Sequence, residues 1–199
     1  VLGSRGLGDV YKRQVIVWSS PNENGLTASA KESFLSGLKK AGTEYEEVHL
    51  NKFKTEHCLA CGNGWGTCRS EGRCIIKDDF ESIYRKLMEA DGIVFISAVY
   101  WHDVTEHMKA FIDRLRRCET GHNGFLAQKR CILIACAGGT GLGAVECLYN
   151  MEEALKHMGM RAYDRIPVIR YNRDYMLPAL EQAGELYVER LKDGFDMRY

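Results

Sequence analysis

The sequence has no excess of charge of either sign: 27 Lys and Arg stand against 27 Asp and Glu in 199 residues. Nucleic-acid binding is built on surplus Lys and Arg, so no nucleic-acid partner is expected. The one basic run, RLRR at Arg114–Arg117, reads as a helix end, where cations favour the dipole. Apolar runs long enough to span a bilayer are missing, as is a secretory signal. A cytoplasmic protein with no membrane partner is therefore expected. Val1–Gln14 lacks an initiator Met and any periodicity; it resembles tag or adapter translation and is set aside as a non-native or disordered leader. Internal repeats, linkers and low-complexity tracts are also missing, so residues 15–199 are expected to form one domain with a core of its own.

What is present is an alternation. Apolar residues on consecutive positions mark strands buried on both faces: VIVWSS (Val15–Ser20), GIVFIS (Gly92–Ser97) and KRCILIACA (Lys129–Ala137). EYEEVHL (Glu44–Leu50) carries more charge and reads as a strand near an edge, and RAYDRIPVIR as the last strand. Helical patterns lie between and after them. In TASAKESFLSGLKKAG, Ala30, Phe34, Leu35 and Leu38 recur at helical spacing before Gly42. DDFESIYRKLMEAD, TEHMKAFIDRLRRC and AVECLYNMEEALKHMGM follow, then LPALEQAGELYVERLKDGF with Pro178 in its first turn. Strand, then helix, five times over predicts an α/β, flavodoxin-like doubly wound parallel sheet of five strands in order 2-1-3-4-5, with helices on both faces.

In such a sheet, ligands bind beyond the carboxyl ends of the strands, where strand order reverses. Three loops meet there. SSPNENGLT offers Ser20, Asn22, Thr27 and the backbone around Gly25 to a phosphate, at a helix N-terminus whose dipole favours an anion. No Lys follows the Gly and no G-x-G-x-x-G is present, which excludes a Walker loop and the dinucleotide fingerprint. A monophosphate held by neutral donors fits best; a plain turn with Thr27 as N-cap is the bland alternative. SAVYWHDVT sets Tyr100, Trp101 and His102 side by side after a buried strand, which suits a flat ring, or else a lid or dimer contact. CAGGTGLG lets the backbone come close to a ligand edge.

SSPNENGLTAS, ADGIVFISAVYWHDVTEHMKAFIDRLRR and CLACGNGWGTCRSEGRCIIKDDF together resemble the NADPH-dependent FMN reductase and iron–sulfur flavoprotein family. Its first loop commonly reads G-S-P-R-x-x-G-N-T; here Ser19, Asn22 and Leu26 replace the Gly, Arg and Asn, which removes one charged phosphate contact. Its second reads S-P-V-Y-x-x-x-V/P-S/T; Ala98 replaces the Pro, while Val99, Tyr100, Val104 and Thr105 match. The resemblance implies non-covalent FMN near a dimer interface. The implied cofactor-binding set is Ser20, Asn22, Gly25, Leu26 and Thr27 in the first loop, Ala98, Val99, Tyr100, Trp101, His102 and Asp103 in the second, and Ala137, Gly138 and Gly139 in the third.

Eight cysteines without an export signal are expected to be reduced thiols or metal ligands. Cys131 and Cys136, inside a strand, read as small buried hydrophobes. Cys58, Cys61, Cys68 and Cys74 fall in the long insert Asn51–Lys77. Iron–sulfur members of the family carry C-x2-C-x2-C-x(4–7)-C; here the spacing is C-x2-C-x6-C-x5-C, with Gly64 at the third position. Three chemistries stay open: a 4Fe–4S cluster, a tetrahedral zinc, or free thiols. The resemblance implies an NAD(P)H-dependent oxidoreductase that reduces a small-molecule acceptor: free flavin, a quinone, or a nitro or azo aromatic. Tyr100 and His102 are the candidates to steady or protonate that acceptor. An iron–sulfur electron carrier with ferredoxin as partner is the alternative, and a non-catalytic thiol or metal sensor is a third reading. A homodimer or homotetramer is expected.

Overall fold

The computed structural model describes residues 13–122 and 124–192. Its centre is a parallel sheet of five strands, β1 (Arg13–Ser19), β2 (Glu44–His49), β3 (Gly92–Ala98), β4 (Arg130–Ala137) and β5 (Arg161–Ile169). Their order is β2-β1-β3-β4-β5, as the alternation requires. Six helices connect and cover them: α1 (Leu26–Lys40), the single turn α2 (Thr67–Ser70), α3 (Phe80–Glu89), α4 (Glu106–Gly121), α5 (Ala144–Lys156) and α6 (Arg173–Lys192). Among the described residues no helix is long and apolar enough to cross a membrane.

Successive strand residues face opposite sides, so the continuous apolar runs feed two cores. Val15, Val17, Ile93, Phe95 and Leu133 pack with residues of α3, α4 and α5. Ile16, Trp18, Val94, Ile96, Ile132 and Ile134 pack with α1 and α6. Cys131 and Cys136 are buried in the sheet, where the pattern set them. On the second face α1 and α6 touch backbone to backbone. A Cβ on Gly37 would run into the carbonyl of Glu181, and one on Gly184 into the carbonyl of Phe34.

Several boundaries differ from the sequence reading. Residues 1–12 of the leader lie outside the described residues; Arg13 and Gln14, set aside with them, open β1 opposite Glu44 and Tyr45 of β2. The N-cap of α1 is Gly25, and Thr27 is the second residue of the helix. Helix α6 starts at Arg173, so Pro178 sits past the first turn and removes one helical hydrogen bond there. Helix α4 continues to Gly121, which places RLRR within the helix and not at its end. The reason is Arg114, which points inward and is buried.

Candidate functional site

The first loop leaves β1 at Ser20 and enters α1 at Gly25. Ser20 Oγ bonds both backbone groups of Asn22, donating to its carbonyl and accepting from its N–H, each at 3.2 Å. The Asn22 side chain accepts from the Asn24 N–H at 3.0 Å. Its amide lies so close to Gly25 that a Cβ there would come within 2.9 Å of Nδ2. No side chain caps α1. Uncapped amides at the positive end of a fifteen-residue helix, beside neutral polar side chains, fit a phosphate. Thr27 is buried, with its hydroxyl toward the Cys136 thiol. Burial pushes that thiol up to about 12, against the Thr27 bond.

The second loop is a tight turn. The Tyr100 N–H donates to the Asp103 carbonyl at 2.8 Å, and the Asp103 N–H returns to Tyr100 at 3.0 Å. Trp101 and His102 fill the turn at φ +47° and +67°, the left-handed region that a mirror-type two-residue turn needs. Residues with side chains adopt that conformation uncommonly. The turn lifts Trp101 clear of the protein, 96% exposed, with Tyr100 also exposed beside it. His102 Nδ1 lies 3.7 Å from Glu146 on α5. Asp103 Oδ1 instead accepts from the Val104 N–H, which ties it into the loop. Ala98 and Val99 are half-buried, and Val99 donates to the Cys136 carbonyl at 3.0 Å.

The third loop follows Ala137, which is buried. A Cβ on Gly138 or Gly139 would meet no atom within 4 Å, so both face open space at the sheet edge. Gly143, at φ +83°, is the N-cap of α5, and a Cβ there would run into His102, so the second and third loops lie close together. All three loops thus stand at the carboxyl ends of β1, β3 and β4, around the point between β1 and β3 where strand order reverses. The residues present fit FMN: neutral phosphate donors, an aromatic flank and an open glycine backbone.

Sequence reasoning missed what lies beneath the loops. Ser19 Oγ bonds Thr105 and donates to Asn51 at 3.0 Å. Thr105 caps α4 by accepting from Met108, and its N–H donates to Ser97 Oγ. His49, the last residue of β2, bonds the Ser20 carbonyl at 2.9 Å. Ser19, Ser97 and Thr105 stand within the quoted loops, but nothing in their pattern shows that they bond one another, and no motif marks His49 or Asn51, whose partners lie in other segments.

The four insert cysteines line one small cavity of about 20 Å³, partly open to solvent, with Cys118, Arg114 and Arg117. Cys58, Cys61 and Cys74 are half-buried, and Cys68 on α2 is buried against the core. Arg117 holds the Gly64 carbonyl, at the vacant third position of the iron–sulfur spacing. Among the described residues no three His, Cys, Asp or Glu side chains converge closely enough to hold a metal ion. The thiols match a cluster or zinc in number, but as arranged they do not close around one. Burial pushes Cys118 up to about 12; Cys74 and Cys68 add to this and Arg114 opposes it.

The NADPH-dependent FMN reductase family model matches residues 13–171. An iron-sulfur flavoprotein of Archaeoglobus fulgidus is 34% identical over 103 residues, covering 52% of this chain and 45% of that protein. The chain spans about half the length of the curated relatives it matches. Among solved structures, an NAD(P)H:quinone oxidoreductase from Methanothermobacter marburgensis superposes with a TM-score of 0.65 at 19% identity, over 89% of this chain and 97% of that one. A flavone reductase gives 0.68 at 18% identity, over 94% and 65%.

Proposed function

The chain belongs to the NADPH-dependent FMN reductase family, and from that membership we propose that it is a flavin-dependent oxidoreductase moving electrons from NAD(P)H to a small acceptor. That acceptor is a free flavin, a quinone, or a nitro or azo aromatic. The observation that carries the reading is the meeting of three unlike loops at one sheet edge: an uncapped helix start, an exposed aromatic turn and an open glycine pair. Bound FMN would supply the hydride chemistry. The chain's own part is placement and electrostatics. Ser20, Asn22 and the amides of the α1 start, that of Thr27 among them, would hold the phosphate. Tyr100 and Trp101 would flank the flavin ring, and the Gly138–Gly139 backbone would donate to its pyrimidine edge. His102, exposed and facing Glu146, steadies or protonates the acceptor. Exposed Leu142, Val145, Tyr149, Tyr171 and Tyr175 beside this edge support a contact with a second copy.

The test is the visible spectrum of protein purified without oxygen, with an iron assay on the same sample and NADPH oxidation followed with a quinone. A two-band flavin spectrum, little iron and turnover are expected. A colourless protein that takes up no FMN overturns the reading. A second reading, an iron–sulfur electron carrier served by ferredoxin, draws on the thiols lining one cavity and the printed names of the curated relatives. Broad brown absorbance with several irons per chain and no NADPH oxidation would favour it.

A further inference from the structure

His49 has no part in the family motifs, yet it is tied to the first loop. Its ring lies flat on Trp18, 3.6 Å away at 7°, and is only 6% exposed. Nε2 stands 2.9 Å from the Ser20 carbonyl. A carbonyl oxygen only accepts, so Nε2 carries the proton. Nδ1 is buried without a protein partner. The ring is therefore held by one stack and one hydrogen bond, and that bond is what a histidine supplies here and a phenylalanine would not.

The bond continues into the loop. Ser20, fixed by His49, grips both backbone groups of Asn22. Asn22 in turn accepts from Asn24 and lies on Gly25, where α1 begins. Neighbouring residues grip the same loop: Asn51 accepts from Ser19, and Lys52 pairs with Glu23 at 2.7 Å. This chain has Asn22 where the family loop carries Arg. An arginine attracts a phosphate as a charge, over distance and at many angles. Neutral donors act only when aimed. The aim of this loop hangs on the Ser20 peptide, and His49 sets it.

We propose that His49 is a positioning residue for the flavin phosphate: through Ser20 and Asn22 it holds the neutral donors in place, and so makes the protein prefer FMN to riboflavin. This rests on the reading of the three loops as a flavin site. The test measures dissociation constants for FMN and for riboflavin by flavin fluorescence, in wild type and two variants. His49→Phe keeps the stack and removes the donor. His49→Gln keeps a donor of similar reach and loses the ring. Loss of one neutral hydrogen bond corresponds to roughly 10-fold. His49→Phe is expected to weaken FMN by about that factor and leave riboflavin unchanged, while His49→Gln returns FMN to within about 3-fold of wild type. Unchanged FMN affinity in His49→Phe overturns the proposal, as does an equal loss for both flavins, which marks a merely structural ring. His49→Met, which fills the space over Trp18 without a donor, replaces a His49→Phe that does not fold; failure of both to fold also overturns it. Wild-type protein that binds no FMN overturns the loop reading itself and this proposal with it, whereas tight wild-type binding with an indifferent His49→Phe overturns this proposal alone.

Discussion

Arg114 is a cation with almost no water around it. Its side chain and that of Asp78 are each 1% exposed. The guanidinium donates to both Asp78 oxygens, at 2.6 and 2.9 Å, and to the Glu56 carbonyl at 2.9 Å, while its plane covers Phe80. One side chain thereby fastens both ends of the cysteine insert to α4. Arg114→Met leaves a buried, uncompensated carboxylate and is expected to cost about 3–5 kcal/mol. Urea unfolding measures the loss, and limited proteolysis should cut first within residues 51–77. Burial by itself raises the Asp78 carboxyl, but Arg114 and the N–H groups of Glu56 and Phe80 outweigh it and hold the group below its ordinary value. The stability from this group is complete at neutral pH and is lost as pH falls below about 4, where the unfolded carboxyl takes its proton first. Denaturation midpoints between pH 7 and pH 3 in wild type and Asp78→Asn should show the difference. None of this was legible in RLRR. The partner lies 36 positions upstream in a loop, and a lone charge on an apolar helix face carries no local sign of being paired. His49 was hidden in the same way, since its partner is the backbone of another segment.

At the scale of elements, the strands read well because burial on both faces demands unbroken apolar runs, and the crossover helices followed from their spacing. The helix ends read poorly. Pro178 drew the start of α6 too late, since a proline is tolerated one turn further in when neighbouring bonds hold. Thr27 looked like a cap, but the helix opens two residues earlier at Gly25 and Thr27 is buried inside it. The close pairing of α1 with α6 was invisible, because two glycines in different helices say nothing of each other until they meet. In a free helix Gly→Ala gains about 1 kcal/mol. Here the added methyl meets backbone that cannot turn away, so Gly37→Ala is expected to destabilise by about 3 kcal/mol. The sign of the shift in the urea midpoint decides it, and Gly184→Ala should behave alike.

Over the whole molecule the thiols divide by place. Cys118, Cys131, Cys136 and Cys147 are buried, and burial raises each to about 12. Cys58, Cys61 and Cys74 sit half-buried in the insert. Alkylation of the folded protein, read by mass spectrometry, should label these three first and the four core thiols only after denaturant. The loop chemistry that assigns the family was plain in the sequence; the supports under it were not, because they are long-range. The contact of α1 with α6 bears on how the chain could be recombined. The family match ends at residue 171, and α6 begins at Arg173, yet the backbone of α6 is moulded to the helix that follows the first loop. A change to the backbone of one of these helices at this crossing must be met by a change in the other. A chimera that borrows residues 13–171 from a relative must borrow that relative's final helix as well, or two surfaces shaped by different ancestries will meet where there is no room for even one methyl group.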